Sequence, residues 1–494
     1  MRGKALDTIK NRERKTMIAQ RCSFIIILAL LGTSAPAFAQ TADGVWAGAI
    51  AVMGQDLGIM VKFTTSGTST AATIDIPQQM ALGMPLSNVR WAPPAVHFEL
   101  PAGPGLAIFD GVVKGDSITG TFRQSGIKGT FHVGRLATAL VPVPVVTKEP
   151  PPPYTEENIT IRNGGVTLAG TLSVPPGDKP HPAIVMITGS GAQDRDEEVF
   201  GFKVFRTIAD HLVRNGIAVL RCDDRGVGGS TGNLGNSTEE DLSGDALAAV
   251  SYLKGRRDID PLGIGLFGHS EGGLIAPLAA TRSHDVAFIV LMAGPAVRGD
   301  RLILYQIEEM MKGAGTSEDQ IAAALASRKE MLAAVRSGKG WDAILMKNKQ
   351  ERAASLGALS AVQRASIDSA EFVDSTAEQE VRSEQSPWFV SFVQYDPVPA
   401  LEGVTCPVLA LFGEKDEQVP VSLNQAPMEE ALRRSGTKDW HVAVVPGANH
   451  LFQSAGTGSP MEYSSLKKEF APGFLGTVTT WIGDRTGLGH AAPR

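Results

Sequence analysis

Cysteine is scarce in this chain, with three in 494 residues. Only Cys222 and Cys406 lie beyond residue 39, and neither has the spacing of a metal-ligand pair. Cys222 ends the strand-like run "IAVLRC" and Cys406 begins "CPVLALFG". In a parallel sheet these runs fall toward opposite edges, beyond the ~7 Å Cα separation that a disulfide tolerates. Two free, buried thiols are therefore expected. Basic charge is also short. Seven of the 46 Lys/Arg but only two of the 52 Asp/Glu fall in residues 1–39, which leaves a net charge of −11 on the rest. That balance excludes nucleic acid as a partner, because phosphate binding needs a basic footprint. No polybasic face for a membrane surface follows residue 39 either. The apolar run "CSFIIILALLG" falls well short of the ~20 residues needed to span a bilayer, so a membrane anchor is not expected. There is no internal repeat.

What is present begins with that same run. A basic stretch ending at Arg21, the apolar segment and "TSAPAFA" have the layout of a secretory signal peptide over residues 1–39. Cleavage is expected after Ala39, with periplasmic or extracellular release; Met1 and Met17 are both candidate starts. Hydrophobic residues make up 43% of the chain, enough for a large core.

Residues 41–140 carry short alternating runs such as "GVWAGAIAV", "AVHFELP" and "GDSITGTFRQ", separated by Gly and Pro. Period-two patterning with frequent turns reads as a small all-β barrel or sandwich. "VPVPVVTKEPPPPY", residues 141–154, reads as a stiff linker. From 155 to 485 the pattern changes. Apolar strands such as "PAIVMIT", "IAVLRC", "IGLFG" and "VAFIVLMAG" alternate with amphipathic helical stretches, which specifies a mostly parallel sheet covered on both faces. Residues 298–395 interrupt it with helical sequence and read as a cap inserted late in the sheet.

Two serines compete for the pattern G-x-S-x-G, Ser270 in "GLFGHSEGG" and Ser230 in "GGSTG". Ser230 lies in a long glycine-rich loop. Ser270 directly follows an apolar strand and opens a helix, the strand–turn–helix setting of a nucleophile elbow, with Gly268 and Gly272 as small neighbours. The overlapping "GIGLFG" has its glycines along a strand, not in the turn a dinucleotide pyrophosphate requires. A serine nucleophile needs a base, and the base needs a carboxylate. His450, in the loop "PGANHLFQ" after the strand "HVAVV", is the candidate base; His284 and His441 adjoin strands and His490 is in the tail. Of the acids in "LFGEKDEQVP", Asp416 is the candidate, with Glu414 as fallback. The oxyanion hole is expected from the amide of Glu271 and from "MITGSGAQDRD", through Ser190 or Gly191. Asp194, Arg195 and Asp196 read as a salt-linked loop.

With "TGSGAQDRD", "DDRGVGGSTG", "GHSEGG", "LFGEKDEQVP" and "GANHLFQ" in this order, residues 155–485 resemble α/β-hydrolases of the EstD-type carboxylesterase group. The resemblance implies an α/β-hydrolase fold, a triad of Ser270, Asp416 and His450, and the turn 189–191 lining the oxyanion hole. It also implies that the cap-to-core return "SPWFVSFVQYDP" lines the acyl site through Trp388, Phe389 and Phe392. The pair "TG" at 188–189 departs from the "HG" of many hydrolases. The expected function is a secreted carboxylic-ester hydrolase for short-to-medium acyl esters, using no metal or organic cofactor. A serine peptidase would instead hold a substrate amine, for which "QIEEMM" offers Glu308 and Glu309. A third alternative is a non-catalytic lipid- or glycan-binding protein built on residues 41–140.

Overall fold

The computed structural model describes residues 41–67, 69–76, 81–101, 105–136, 152–313 and 315–488. Residues 1–39, where a signal peptide is expected, and the linker up to residue 151 lie outside the described residues, as does His490.

The first domain is one antiparallel sheet of nine strands. They are β1 (Gly44–Val52), β2 (Gln55–Ser66), β3 (Ser69–Ile76), β4 (Ala81–Pro85), β5 (Ser87–Ala92), β6 (Ala95–Pro101), β7 (Leu106–Lys114), β8 (Ser117–Gln124) and β9 (Ile127–Arg135). The spatial order is β4-β3-β2-β1-β9-β8-β7-β6-β5. The Leu86 amide donates to the Ala72 carbonyl across the seam (2.9 Å), so the sheet curls back on itself. Alternation drives the burial. In β6, Val96, Phe98 and Leu100 point inward while their neighbours are more exposed. Trp46, Phe63, Phe98, Phe109 and Phe131 meet inside as offset and edge-to-face ring pairs.

The second domain holds an eight-stranded sheet. Its strands are β10 (Thr155–Asn163), β11 (Val166–Val174), β12 (His181–Ile187), β15 (Ala218–Cys222), β16 (Ile259–His269), β17 (Phe288–Met292), β18 (Val408–Gly413) and β19 (Trp440–Val445). A two-stranded hairpin of β13 (Glu198–Val199) and β14 (Phe202–Lys203) lies outside it. The order is β10-β11-β15-β12-β16-β17-β18-β19; the pairs from β15 to β19 are parallel, and β10 and β11 are antiparallel additions. Both faces are covered, so the central strands bury nearly every residue: all of "FIVLM" and all of "VLALFG". The described helices are α1 (Val204–Arg214), α2 (Glu239–Lys254), α3 (Gly272–Arg282), α4 (Gly299–Gly313), α5 (Glu318–Ser337), α6 (Trp341–Gly357), α7 (Ala361–Ala365), α8 (Ser369–Glu384), α9 (Pro387–Gln394), α10 (Val398–Gly403), α11 (Val421–Arg434) and α12 (Phe474–Thr486). Seven of them, α4 to α10, are inserted between β17 and β18. Among the described residues no helix is long and apolar enough to cross a membrane.

The inserted helices meet the first domain at the turn between β8 and β9, with Gln379 also beside the Gly105 backbone. The Lys128 amide donates to the Ser366 carbonyl (2.8 Å) and the Asp368 amide to the Gly126 carbonyl (2.7 Å). Cys222 and Cys406 are free, and burial pushes their thiols up to about 12 and about 11.

Candidate active site

Strand β16 delivers Ser270 to a sharp turn at its C-terminal end. The serine has φ +52°, a left-handed conformation that a non-glycine residue holds only under constraint from its surroundings. That constraint is visible. The Ser270 amide donates to the Met292 carbonyl (2.9 Å), and its carbonyl accepts from Gly273 (2.8 Å) as α3 begins. A Cβ on Gly268 would stand 2.0 Å from the Gly272 carbonyl oxygen, and one on Gly272 would stand 2.2 Å from that of Ile187. Only glycine lets strand, turn and helix approach this closely.

Ser270 and His450 line one cavity of about 240 Å³, together with Gly189, Ser190, Glu197, Val199, Phe200 and Tyr463 among others. His450 is buried, and its Nδ1 lies 2.8 Å from Asp416 Oδ2. The other carboxylate oxygen of Asp416 accepts the amides of Gln418 and Val419, both at 2.8 Å. These bonds fix the carboxylate's direction, and the carboxylate selects the histidine tautomer with a free Nε2. Glu414, the fallback, faces elsewhere and accepts the Gly447 amide (2.7 Å). Ser230 is fully engaged. Its hydroxyl donates to the Asp223 carbonyl (2.8 Å) and accepts the Ala169 amide (2.9 Å). It shapes a loop.

Among the described residues, the amides of Ser190 and Glu271 have no hydrogen-bond partner. Ser190 lines the cavity, and Glu271 follows Ser270 at the start of α3, where the helix dipole favours negative charge. Gly191 has φ +94° and lies outside the cavity lining. The preceding loop is held by paired charges: Arg195 clamps Asp223 at 2.6 and 2.9 Å, and Lys203 reaches Asp196 at 3.3 Å. Asp224 accepts the Thr188 hydroxyl (2.6 Å) and the Gln193 amide (2.8 Å), which ties the end of β15 to the loop 188–193.

The aromatic run requires a correction. Trp388, Phe389 and Phe392 do not line the cavity that holds Ser270. Helix α9 turns Phe389 into a cluster with Leu332, Val335 and Val393 and under the Arg328 guanidinium. Phe392 packs against the Gly299 backbone at the root of the cap. Trp388 stacks on Phe392 and donates its indole N–H to Glu271 Oε1 at 2.8 Å. The helix period sends these side chains into packing that a linear run of aromatics does not reveal. Val199 and Phe200, from the β13–β14 hairpin, and Leu451 and Tyr463 supply the apolar lining instead. Two-residue strands in a charged stretch gave no period to read.

Three carboxyls cluster behind the elbow. Burial, with Glu239 and Asp224 close by, pushes Glu271 up to about 8. Burial likewise lifts Asp224 and Glu239 to about 7. Glu239 is bound by the Ser391 hydroxyl of the cap. Among the described residues no group of three or more His, Cys, Asp or Glu side chains is disposed to hold a metal ion.

Residues 202–379 match the family described as "Serine aminopeptidase, S33". The chain is similar to Esterase EstD of Thermotoga maritima, 30% identical over 314 residues, or 63% of this chain and 64% of that esterase. The second domain has the α/β-hydrolase fold. The chain spans somewhat less than two thirds of that esterase's length. Two further similarities are more limited. An uncharacterized protein of Mycobacterium tuberculosis is 39% identical over 75 residues, covering 15% of this chain and 26% of that protein. A solved esterase from Pyrococcus furiosus overlaps 67% of this chain and 90% of its own, at 15% identity and a TM-score of 0.40.

Proposed function

We propose that this α/β-hydrolase is a serine carboxylic-ester hydrolase acting through an acyl-enzyme on Ser270. One observation carries the reading: Ser270 sits in a strained elbow and shares a cavity with His450, whose Nδ1 is held by Asp416. In this mechanism His450 Nε2 takes the Ser270 proton as the oxygen adds to the ester carbonyl. The carbonyl oxygen becomes an oxyanion directed at the amides of Ser190 and Glu271, each worth ~2.7–4 kcal/mol at the transition state. His450 then gives its proton to the departing alcohol. Water repeats the sequence on the acyl-enzyme, with His450 as base and then as acid, and releases the carboxylic acid and free Ser270.

The name of the matched family raises a peptidase reading, and the cap argues against it. Glu308 and Glu309 share Lys312 at 2.7 and 2.9 Å on a partly exposed face of α4, and neither lines the cavity that holds Ser270, so they do not present a charge to a substrate amine there. The cavity lining of Val199, Phe200 and Leu451 suits an apolar acyl chain. Short-to-medium acyl esters are the expected substrates. The test is kcat/KM on p-nitrophenyl acyl esters against matched aminoacyl and Xaa-Pro anilides. Esters should be turned over well above anilides; equal or better anilide turnover overturns the ester assignment. We further infer export, with cleavage after Ala39.

A further inference from the structure

Glu197 is 1% exposed and lines the cavity that holds Ser270. Its Oε1 accepts two hydrogen bonds, from the Gly189 amide and from His269 Nδ1, both at 2.8 Å. The opposite ring nitrogen of His269 donates to the His450 carbonyl at 3.1 Å. Both ring nitrogens therefore face acceptors, a carboxylate and a carbonyl. An imidazole that donates at both positions carries two protons, so Glu197 and His269 form a buried pair of opposite charges. Burial opposes the charge on His269, but Glu197 outweighs it and the net effect is to raise its titration.

The position of this pair is informative. Gly189 precedes Ser190 in the oxyanion loop, His269 precedes Ser270 at the elbow, and His450 follows β19. These three segments come from distant parts of the sequence, and one carboxylate joins them. Glu197 itself is held at φ +48°, with its amide bonded to the Asp194 carbonyl (3.0 Å) and its Oε2 without a hydrogen-bond partner. A residue needed only to fill space would not be an acid here. We propose that Glu197 is a positioning residue for the reaction assigned to Ser270. Through His269 and the Gly189 amide it holds the oxyanion loop, the nucleophile elbow and the His450 backbone in register. This rests on the ester-hydrolase reading.

Glu197→Gln keeps the shape but cannot pair with a doubly protonated ring. His269 then has one donor for two acceptors, and one of the three segments is released. With p-nitrophenyl butyrate, Glu197→Gln should lower kcat by about 10- to 100-fold, as sub-ångström misplacement of reacting groups does, with KM within about twofold. His269→Gln should give the same split, and the double variant should be no worse than the worse single one. Ser230→Ala loosens a neighbouring loop without touching this pair, and any fall in Tm it causes should leave kcat within about twofold. The proposal is overturned if Glu197→Gln keeps its kcat, if the single losses multiply, or if Ser230→Ala with a matched Tm loss lowers kcat equally. Should Glu197→Gln fail to fold, His269→Gln decides by the same criteria. Wild-type protein that neither turns over the ester nor reacts with a fluorophosphonate overturns the ester-hydrolase reading itself, and the proposal with it.

Discussion

Ser270 stands at φ +52° because its oxygen has to clear the end of β16, and the glycines on either side make that geometry possible. Ser270→Ala, His450→Ala and Asp416→Asn should each lower kcat by several orders of magnitude, with combined losses far smaller than the product of the single ones. Ser270→Ala should leave the thermal melt little changed, since the serine lines the cavity, whereas His450→Ala strips the buried Asp416 carboxylate of its partner and should lower Tm; a kcat within tenfold of wild type for any of the three contradicts the roles assigned. Gly268→Ala should behave differently. Its Cβ would meet backbone at 2.0 Å, so stability and activity should fall together, as denaturant melts alongside ester assays would show. Much at this scale is readable from sequence: a serine between small residues after an apolar strand, and a histidine and an acid in loops after later strands. Glu197 is not. It lies in "DRDEE", where any acid could be a solvated loop charge, and only the folded hairpin brings it to His269. The aromatic run at 388–392 shows the converse, since the family resemblance implied a substrate wall and helix direction turns these side chains into packing.

At the scale of elements, the carboxyls of Asp224 after β15, Glu239 at the start of α2 and Glu271 at the start of α3 meet behind the elbow. Unfolded, such groups release their protons near pH 4. Folded, they keep them to about 7, 7 and 8. Between these limits the folded state binds more protons, so stability falls as pH rises from about 4.5 to about 8. The raised titration of His269 acts in the same direction. Tm should therefore be higher at pH 5.5 than at pH 8.5, and Glu271→Gln should flatten the decline. A wild-type Tm equal at both values, or a variant with unchanged slope, contradicts this account. The inserted helices meet the first domain at the turn of Gly126, where a Cβ would lie 2.5 Å from the Phe372 amide nitrogen. Gly126→Val should separate the two, read as faster hydrogen exchange of the Asp368 and Phe372 amides; unchanged protection contradicts a docked turn. The strands are legible as elements because burial on both faces writes them as apolar runs. The docking at the Gly126 turn is not, because its hydrogen bonds use backbone groups that any residue carries.

Across the whole molecule, Glu197 and its partner His269 link three distant segments of the second domain, and the β-domain contacts the inserted helices. Intact-mass analysis of exported protein should give a chain beginning at Gln40; retention of residues 1–39 contradicts cleavage after Ala39. The central claim is that Ser270 is the nucleophile. Fluorophosphonate labelling of the full-length protein, followed by peptide mass spectrometry, tests it most directly. The account predicts one adduct, on the peptide containing Ser270, absent in Ser270→Ala and formed with loss of ester turnover. An adduct on Ser230, or full turnover by Ser270→Ala, would contradict it.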